Sequence, residues 1–211
     1  MEKWKKTGVS VKFIRVEGLE AGDALSPAEA LRLSAFRMEK RRSEWLAGRL
    51  AAKTLLAETG APGALSTLEI GMDSLGRPSC GGSLLSISHS NGWAMAALKP
   101  GSAFLGADLE KIEERHPAWY RDYFHNSELP APDPSGATRL WTIKEALMKA
   151  LGLGLTADPL TIKEAGEKIE LYGKALKRYQ ELGCPPFTVE THPFPEGFWT
   201  AVAADNPLPK R

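Results

Sequence analysis

Trp45, Arg49 and Lys53 stand at four-residue steps, and Trp141, Glu145 and Lys149 repeat those steps in the second half of the chain. Each set lies among apolar residues at helical spacing: Leu46, Leu50, Leu55 and Leu56 in the first, Leu140, Ile143, Leu147, Ala150 and Leu151 in the second. Each therefore marks a long helix with one face to a core and another face carrying the tryptophan and the charges. After each helix come short strand-like runs and then an apolar strand opening on tryptophan, Trp93–Leu98 in one half and Trp199–Ala204 in the other. A chain that repeats its order of elements builds two similar units. The expected architecture is a pseudo-duplicated α+β fold, each half a small antiparallel sheet packed on a long helix. The boundary falls near Leu98–Ser102, giving halves 1–101 and 102–211, with the ligand site in the cleft between them.

The remaining punctuation fills in this frame. Val9–Val16 alternates as a first strand, and Ser26-Pro27-Ala28-Glu29 has the form of a capping box opening a helix. A basic cluster, Arg37, Lys40, Arg41 and Arg42, leads into the first long helix, expected from about Ser43 to Thr59 and stopped by Gly60-Ala61-Pro62-Gly63. Such a cluster is either a solvated face or an anion site at a helix start. Leu68–Ile70 reads as a short strand and Asp73–Pro78 as a turn. Leu84–Ser90 and Trp93–Leu98 are the arms of a hairpin around Asn91-Gly92. The aromatic residues Trp119, Tyr120, Tyr123 and Phe124 have helical spacing within His116–Leu129, and core packing accounts for them. Pro130–Gly136 reads as a loop, followed by a helix over Thr138–Gly152. Strands are expected near Leu160–Ile162 and Lys168–Tyr172, a last hairpin at Thr188–Thr191 and Phe198–Ala204, and a frayed tail over Pro207–Arg211.

The chemistry concentrates in Gly106-Ala107-Asp108-Leu109-Glu110. On a strand, Asp108 and Glu110 share a face, and two carboxylates one strand-step apart repel unless a cation lies between them. A hard divalent ion such as Mg²⁺, taking oxygen ligands beside phosphates, answers that need, although a solvated strand edge explains the same residues alone. On the second helix a surface Glu145–Lys149 pair would be unremarkable, but Trp141 at the head of the same face argues that this face is covered. With 27 Lys+Arg against 26 Asp+Glu, no global field draws nucleic acid, so anions must be met by local clusters. Cys80 and Cys184 lie in no metal-ligand spacing and are expected as free thiols of a reducing compartment. The charged N-terminus has no apolar run behind it and no stretch is long enough to cross a bilayer, so a cytoplasmic protein with no membrane partner is expected. Ser86-Ile87-Ser88-His89-Ser90 lacks the glycine-flanked elbow of a nucleophilic serine, and His89 is by default a satisfied loop residue.

Taken together, Gly106-x-Asp108-x-Glu110 and, about thirty residues later, Trp141-x-x-Lys144-Glu145-Ala146-x-x-Lys149 resemble the paired signature of the 4′-phosphopantetheinyl transferases. The likeness extends to Gly48-Arg49, Gly76-Arg77-Pro78, the Ser86–Ser90 stretch and the Trp199 strand. Length and internal repetition are similar to the monomeric surfactin-synthetase-activating type. The resemblance implies transfer of the 4′-phosphopantetheine arm of coenzyme A to a serine of an acyl or peptidyl carrier protein, releasing adenosine 3′,5′-bisphosphate. It implies Mg²⁺ held by Asp108, Glu110 and Glu145, with Lys149 neutralising phosphate charge and Glu145 taking the serine proton. Lys40, Arg42, Arg77, Ser88, His89, Lys144 and Lys149 are the implied coenzyme A contacts, the register of the basic cluster being the departure from the pattern. Two other readings are a Mg²⁺-dependent nucleotide pyrophosphatase and a non-catalytic carrier-binding module.

Overall fold

The computed structural model describes residues 1–154 and 157–206. The first sheet has six strands in the order β1-β2-β6-β5-β4-β3, formed by β1 (Glu2–Lys3), β2 (Ser10–Arg15), β3 (Gly71–Met72), β4 (Pro78–Cys80), β5 (Ser83–Ser90) and β6 (Trp93–Leu98). The second has three in the order β10-β11-β7, from β7 (Leu105–Lys111), β10 (Phe187–His192) and β11 (Phe198–Asp205). A separate hairpin pairs β8 (Ile162–Ala165) with β9 (Lys168–Leu171). The helices are α1 (Pro27–Ser34), α2 (Glu39–Glu58), α3 (Pro117–Tyr123), α4 (Pro134–Ala150) and α5 (Gly173–Glu181).

The fold is a stack of four layers. α2 lies outside the first sheet, its Ala51, Ala52, Leu55 and Leu56 against Leu85, Ala96 and Leu98. α4 lies outside the second, its Ala146, Leu147 and Ala150 packed with Phe104, Ala201 and Ala203. The inner faces of the sheets meet through Val9, Val11, Met95 and Ala97 on one side and Leu105, Ala107, Leu109 and Val202 on the other. Alternation along each strand produces this, because odd and even positions feed different layers. The Asn91-Gly92 turn has φ of +41° and +83°, the left-handed pair that a two-residue hairpin requires.

Several boundaries differ from expectation. Pro130–Gly136 is not all loop, because α4 begins at Pro134. Asp133 caps it by accepting from the amides of Ser135 and Gly136, and Pro134 takes the first helical position, where its missing N–H costs nothing. α2 starts at Glu39 and so includes Lys40, Arg41 and Arg42, residues with good helix propensity. The aromatic helix is short, ending at Tyr123. The expected strand at Leu68–Ile70 is absent: these residues lie between a 3₁₀ turn at Leu65–Thr67 and β3, which begins at Gly71. Leu160 likewise lies in a 3₁₀ turn, with β8 starting at Ile162. α5 was outside the expected elements, and the tail expected to fray lies outside the described residues.

Candidate active site

Gly106 sets the distance between β7 and α4. A Cβ on it would come within 1.8 Å of the Ala146 carbonyl oxygen and 2.6 Å of the Ala150 nitrogen, so only glycine lets the helix backbone rest on the strand. Asp108, two residues on, consequently reaches the charged face of the helix. Lys149 Nζ donates to Asp108 Oδ1 at 2.7 Å, to Ser88 Oγ at 3.0 Å and to the Ala107 carbonyl at 3.2 Å. The Ser88 hydroxyl donates to the same Oδ1 at 2.7 Å.

The other carboxylate oxygens are not served in this way. Asp108 is 2% exposed and Glu145 6%, yet Asp108 Oδ2 and Glu145 Oε1 are buried without a hydrogen-bond partner. Burial, with the Asp108 charge added, pushes Glu145 up to about 7 against the opposing pull of Lys149. Burial and Asp108 push Glu110 up to about 7 as well, although Ser90 donates to its Oε2 at 3.0 Å. Three acids thus share one field, with two buried acceptors left over. An unserved buried acceptor costs about 1–3 kcal/mol, and native chains keep few of them.

The donor set fits a hard divalent cation. Mg²⁺ is commonly held by one or two carboxylates, with phosphate and water oxygens completing its shell. Among the described residues no three of His, Cys, Asp and Glu form a group that could hold a metal ion. Asp108 Oδ2 and Glu145 Oε1 therefore suit an ion shared with an anionic ligand better than one caged by protein. A cavity of about 300 Å³ is lined by Lys149 together with Leu75, Arg77, Pro78, Ile87 and Leu153; Lys149 links it to the acids, none of which lines it. A larger one, of about 890 Å³, runs along β10 past Lys6 and Arg139, and neither the three acids nor Lys149 line it.

The residues singled out from sequence do not all gather here. Asp108, Glu110, Glu145, Lys149 and Ser88 do. Lys144 does not: its buried ammonium donates to Glu128 Oε2 at 3.0 Å and to the carbonyls of Pro159 and Ile162 at 3.1 and 2.6 Å. Burial lowers its pKa and Glu128 opposes that shift. Arg77 lines the cavity, but it pairs with Asp73 and donates to the Ala103 and Ala150 carbonyls at 3.0 and 2.9 Å. It pins the Asp73–Pro78 turn to the end of α4.

His89 is on β5, not in a loop, and lies next to Ser88 on the opposite face of the strand, since successive strand residues alternate. Its Nδ1 is 3.6 Å from Glu44 Oε2, and Glu44 Oε1 lies 3.9 Å from Lys40 Nζ. Lys40 is thereby linked to His89 through one carboxylate. Arg42 turns instead to Glu39, at 3.6 Å.

Sequence reasoning took Ser88 as a coenzyme A contact and missed that it, Ser86 and Ser90 bridge the two sheets. Ser86 Oγ accepts from the Ala107 amide at 2.8 Å, Ser88 serves Asp108, and Ser90 serves Glu110. Their period of two along β5 was a readable signal of one shared face. Glu128, the partner of Lys144, had no such signal, because contact across sixteen residues depends on the tertiary fold.

Two family models match adjoining stretches of the chain. A family model described as the 4′-phosphopantetheinyl transferase superfamily matches residues 104–188, and one for the 4′-phosphopantetheinyl transferase N-terminal domain matches residues 29–99. A phosphopantetheinyl transferase of a Thraustochytrium species is 30% identical over 161 residues, which are 65% of this chain and 55% of that protein. The chain thus spans about half the length of that curated relative. Among solved structures, an apo-ACPS from Chronobacterium ammoiniagenes aligns at 23% identity, covering 43% of this chain and 92% of the other, with a TM-score of 0.35. The holo-[acyl-carrier-protein] synthase of Thermotoga maritima aligns at 20% identity, covering 56% and 75%, with a TM-score of 0.34. On the strength of the two adjoining family matches, one over each half, the chain belongs to the 4′-phosphopantetheinyl transferase superfamily.

Proposed function

We propose that this chain transfers the 4′-phosphopantetheine arm of coenzyme A to a serine of an acyl or peptidyl carrier protein, with Mg²⁺, as a monomer of the surfactin-synthetase-activating type. The observation that carries the reading is the pair of unserved buried oxygens, Asp108 Oδ2 and Glu145 Oε1, in the field of Lys149, which itself lines a cavity of about 300 Å³. That volume lies at the lower end of small-molecule sites and suits the adenosine end of the nucleotide. In this reading residues 1–101 supply nucleotide contacts, and residues 102–211 supply the metal ligands and catalytic groups.

Asp108, Glu110 and Glu145 are assigned to the cation. A bound divalent ion supplies Lewis-acid polarisation of the pyrophosphate. Lys149, which lines the cavity, balances phosphate charge and lowers the cost of bringing the pyrophosphate against three acids. The carrier serine oxygen bonds to the phosphorus bearing the pantetheine arm, and the bond from that phosphorus to the bridging oxygen breaks. Adenosine 3′,5′-bisphosphate leaves. Glu145 is assigned to accept the serine proton. Ser88, His89, Arg77, Lys40 and Arg42 are assigned to coenzyme A. Lys144, committed to Glu128, contributes by fixing α4 rather than by touching the nucleotide.

The test is the intact mass of an apo carrier protein incubated with this protein, coenzyme A and Mg²⁺, with EDTA as control. A gain of one phosphopantetheine group that EDTA abolishes is expected. Coenzyme A cleaved with the carrier unmodified would replace this reading with a pyrophosphatase. Bound but unreacted coenzyme A with every carrier class tried would replace it with a binding module.

A further inference from the structure

Of the three acids, Glu110 is the one whose only side-chain hydrogen bond among the described residues comes from the first half of the chain. Ser90 Oγ donates to Glu110 Oε2 at 3.0 Å, and the same oxygen accepts from the Lys111 amide at 3.4 Å. Because the hydroxyl already takes a strand N–H, its own proton is directed to the carboxylate. Ser90 is held in turn by its register opposite Trp93, immediately before the Asn91-Gly92 turn. Two residues earlier, Ser88 donates to Asp108 Oδ1 together with Lys149, which leaves Asp108 Oδ2 as the free atom. One strand of the first half therefore decides, for two acids of the second, which oxygen is occupied and which stays open.

We propose that Ser90 is a positioning residue for the divalent cation: by occupying Glu110 Oε2 it holds that carboxylate beside Asp108 with its second oxygen free for the ion. The proposal rests on the metal assignment above. Groups outside a metal's own ligands orient those ligands, and losing one commonly weakens metal binding by about 10–100-fold. A hydroxyl is required here rather than bulk, since only a donor selects one carboxylate oxygen.

The test is Mn²⁺ binding, followed by water-proton relaxation, to the wild-type chain, Ser90→Ala and Ser90→Thr, with and without coenzyme A. Thermal melts of all three chains run alongside. Wild type should bind Mn²⁺, Ser90→Ala should bind about 10-fold more weakly at an unchanged melting temperature, and Ser90→Thr should bind like wild type. Equal affinity in Ser90→Ala and wild type overturns the role of Ser90 and leaves the metal assignment standing. Equal weakening in Ser90→Thr and Ser90→Ala also overturns it, because the hydroxyl would not be what matters. A wild-type chain that binds no Mn²⁺ under either condition overturns the metal assignment, and this proposal with it.

Discussion

Each long helix presents a lysine to a buried carboxylate, and the two clusters are finished differently. On α2, Lys53 is wholly buried, 2.5 Å from Glu29 Oε2, and it donates to the Leu65 carbonyl at 2.9 Å. Glu29 also accepts from the amides of Ser26 and Ile70, so both of its oxygens are served. On α4, Lys149 is 29% exposed and shares Asp108 Oδ1 with Ser88, while Asp108 Oδ2 and Glu145 Oε1 have nothing. Lys144, on the same helix, repeats the finished pattern with Glu128. Burial of charge is common to all three. What separates a brace from a place for a ligand is whether the acceptors are used up.

The comparison can be broken first at Glu29. Glu29→Ala leaves Lys53 buried without its partner and should cost about 3–5 kcal/mol in denaturant unfolding, a large share of an ordinary domain's stability. A loss below about 1 kcal/mol would mean that the α2 cluster is not a brace.

Asp108→Asn should act in the opposite sense. It removes the charge that pushes Glu110 and Glu145 upward, so stability should hold or rise slightly while carrier modification falls by about 100- to 1,000-fold. Equal losses of stability and rate would erase the distinction between the two clusters.

Gly106→Ala tests the spacing on which the α4 cluster depends. Overpacking against the helix backbone should cost about 1–3 kcal/mol and should lower the rate more than stability alone explains, measured well below the unfolding midpoint. Wild-type turnover in that variant would show that the approach of strand and helix does not matter.

Glu190 gives the smallest effect and a sharper contrast. Burial pushes its carboxyl up, but hydrogen bonds from Thr7 and His192 outweigh that and hold it below its ordinary 4.5. Glu110 and Glu145, with fewer donors, move the other way. For a lowered carboxyl the stabilisation is present above the unfolded value and is lost as pH falls through the folded one. Melting temperature should therefore decline below about pH 4.5, and Glu190→Gln should flatten that decline. An unchanged acid limb in Glu190→Gln would remove Glu190 from the served class.

Much of this was legible because periodicity reports which residues share a face. The four-residue steps on two helices carried the α+β plan of two sheet-and-helix halves, and alternation put Asp108 and Glu110 on one face; that these acids meet Glu145 and Lys149 was implied by the family resemblance alone. Proline misled, since Pro134 belongs to the one helical position that favours it, and only the capping role of Asp133 reveals that. Lys144 and Lys149 stand five residues apart in one motif, and nothing in their spacing says that one ammonium is consumed by Glu128 while the other faces the cavity. His89 and Ser88 read as neighbours, but a strand sends neighbours to opposite faces.

The serine row has one more consequence. β7 is the last strand of its sheet, and a last strand offers backbone groups to any other extended chain. Ser86 takes the Ala107 amide, Lys149 takes the Ala107 carbonyl, and Ser90 takes the Lys111 amide. The groups that orient the acids also close this border against a foreign strand, so replacing all three serines should yield a chain that self-associates as well as one that has lost its site.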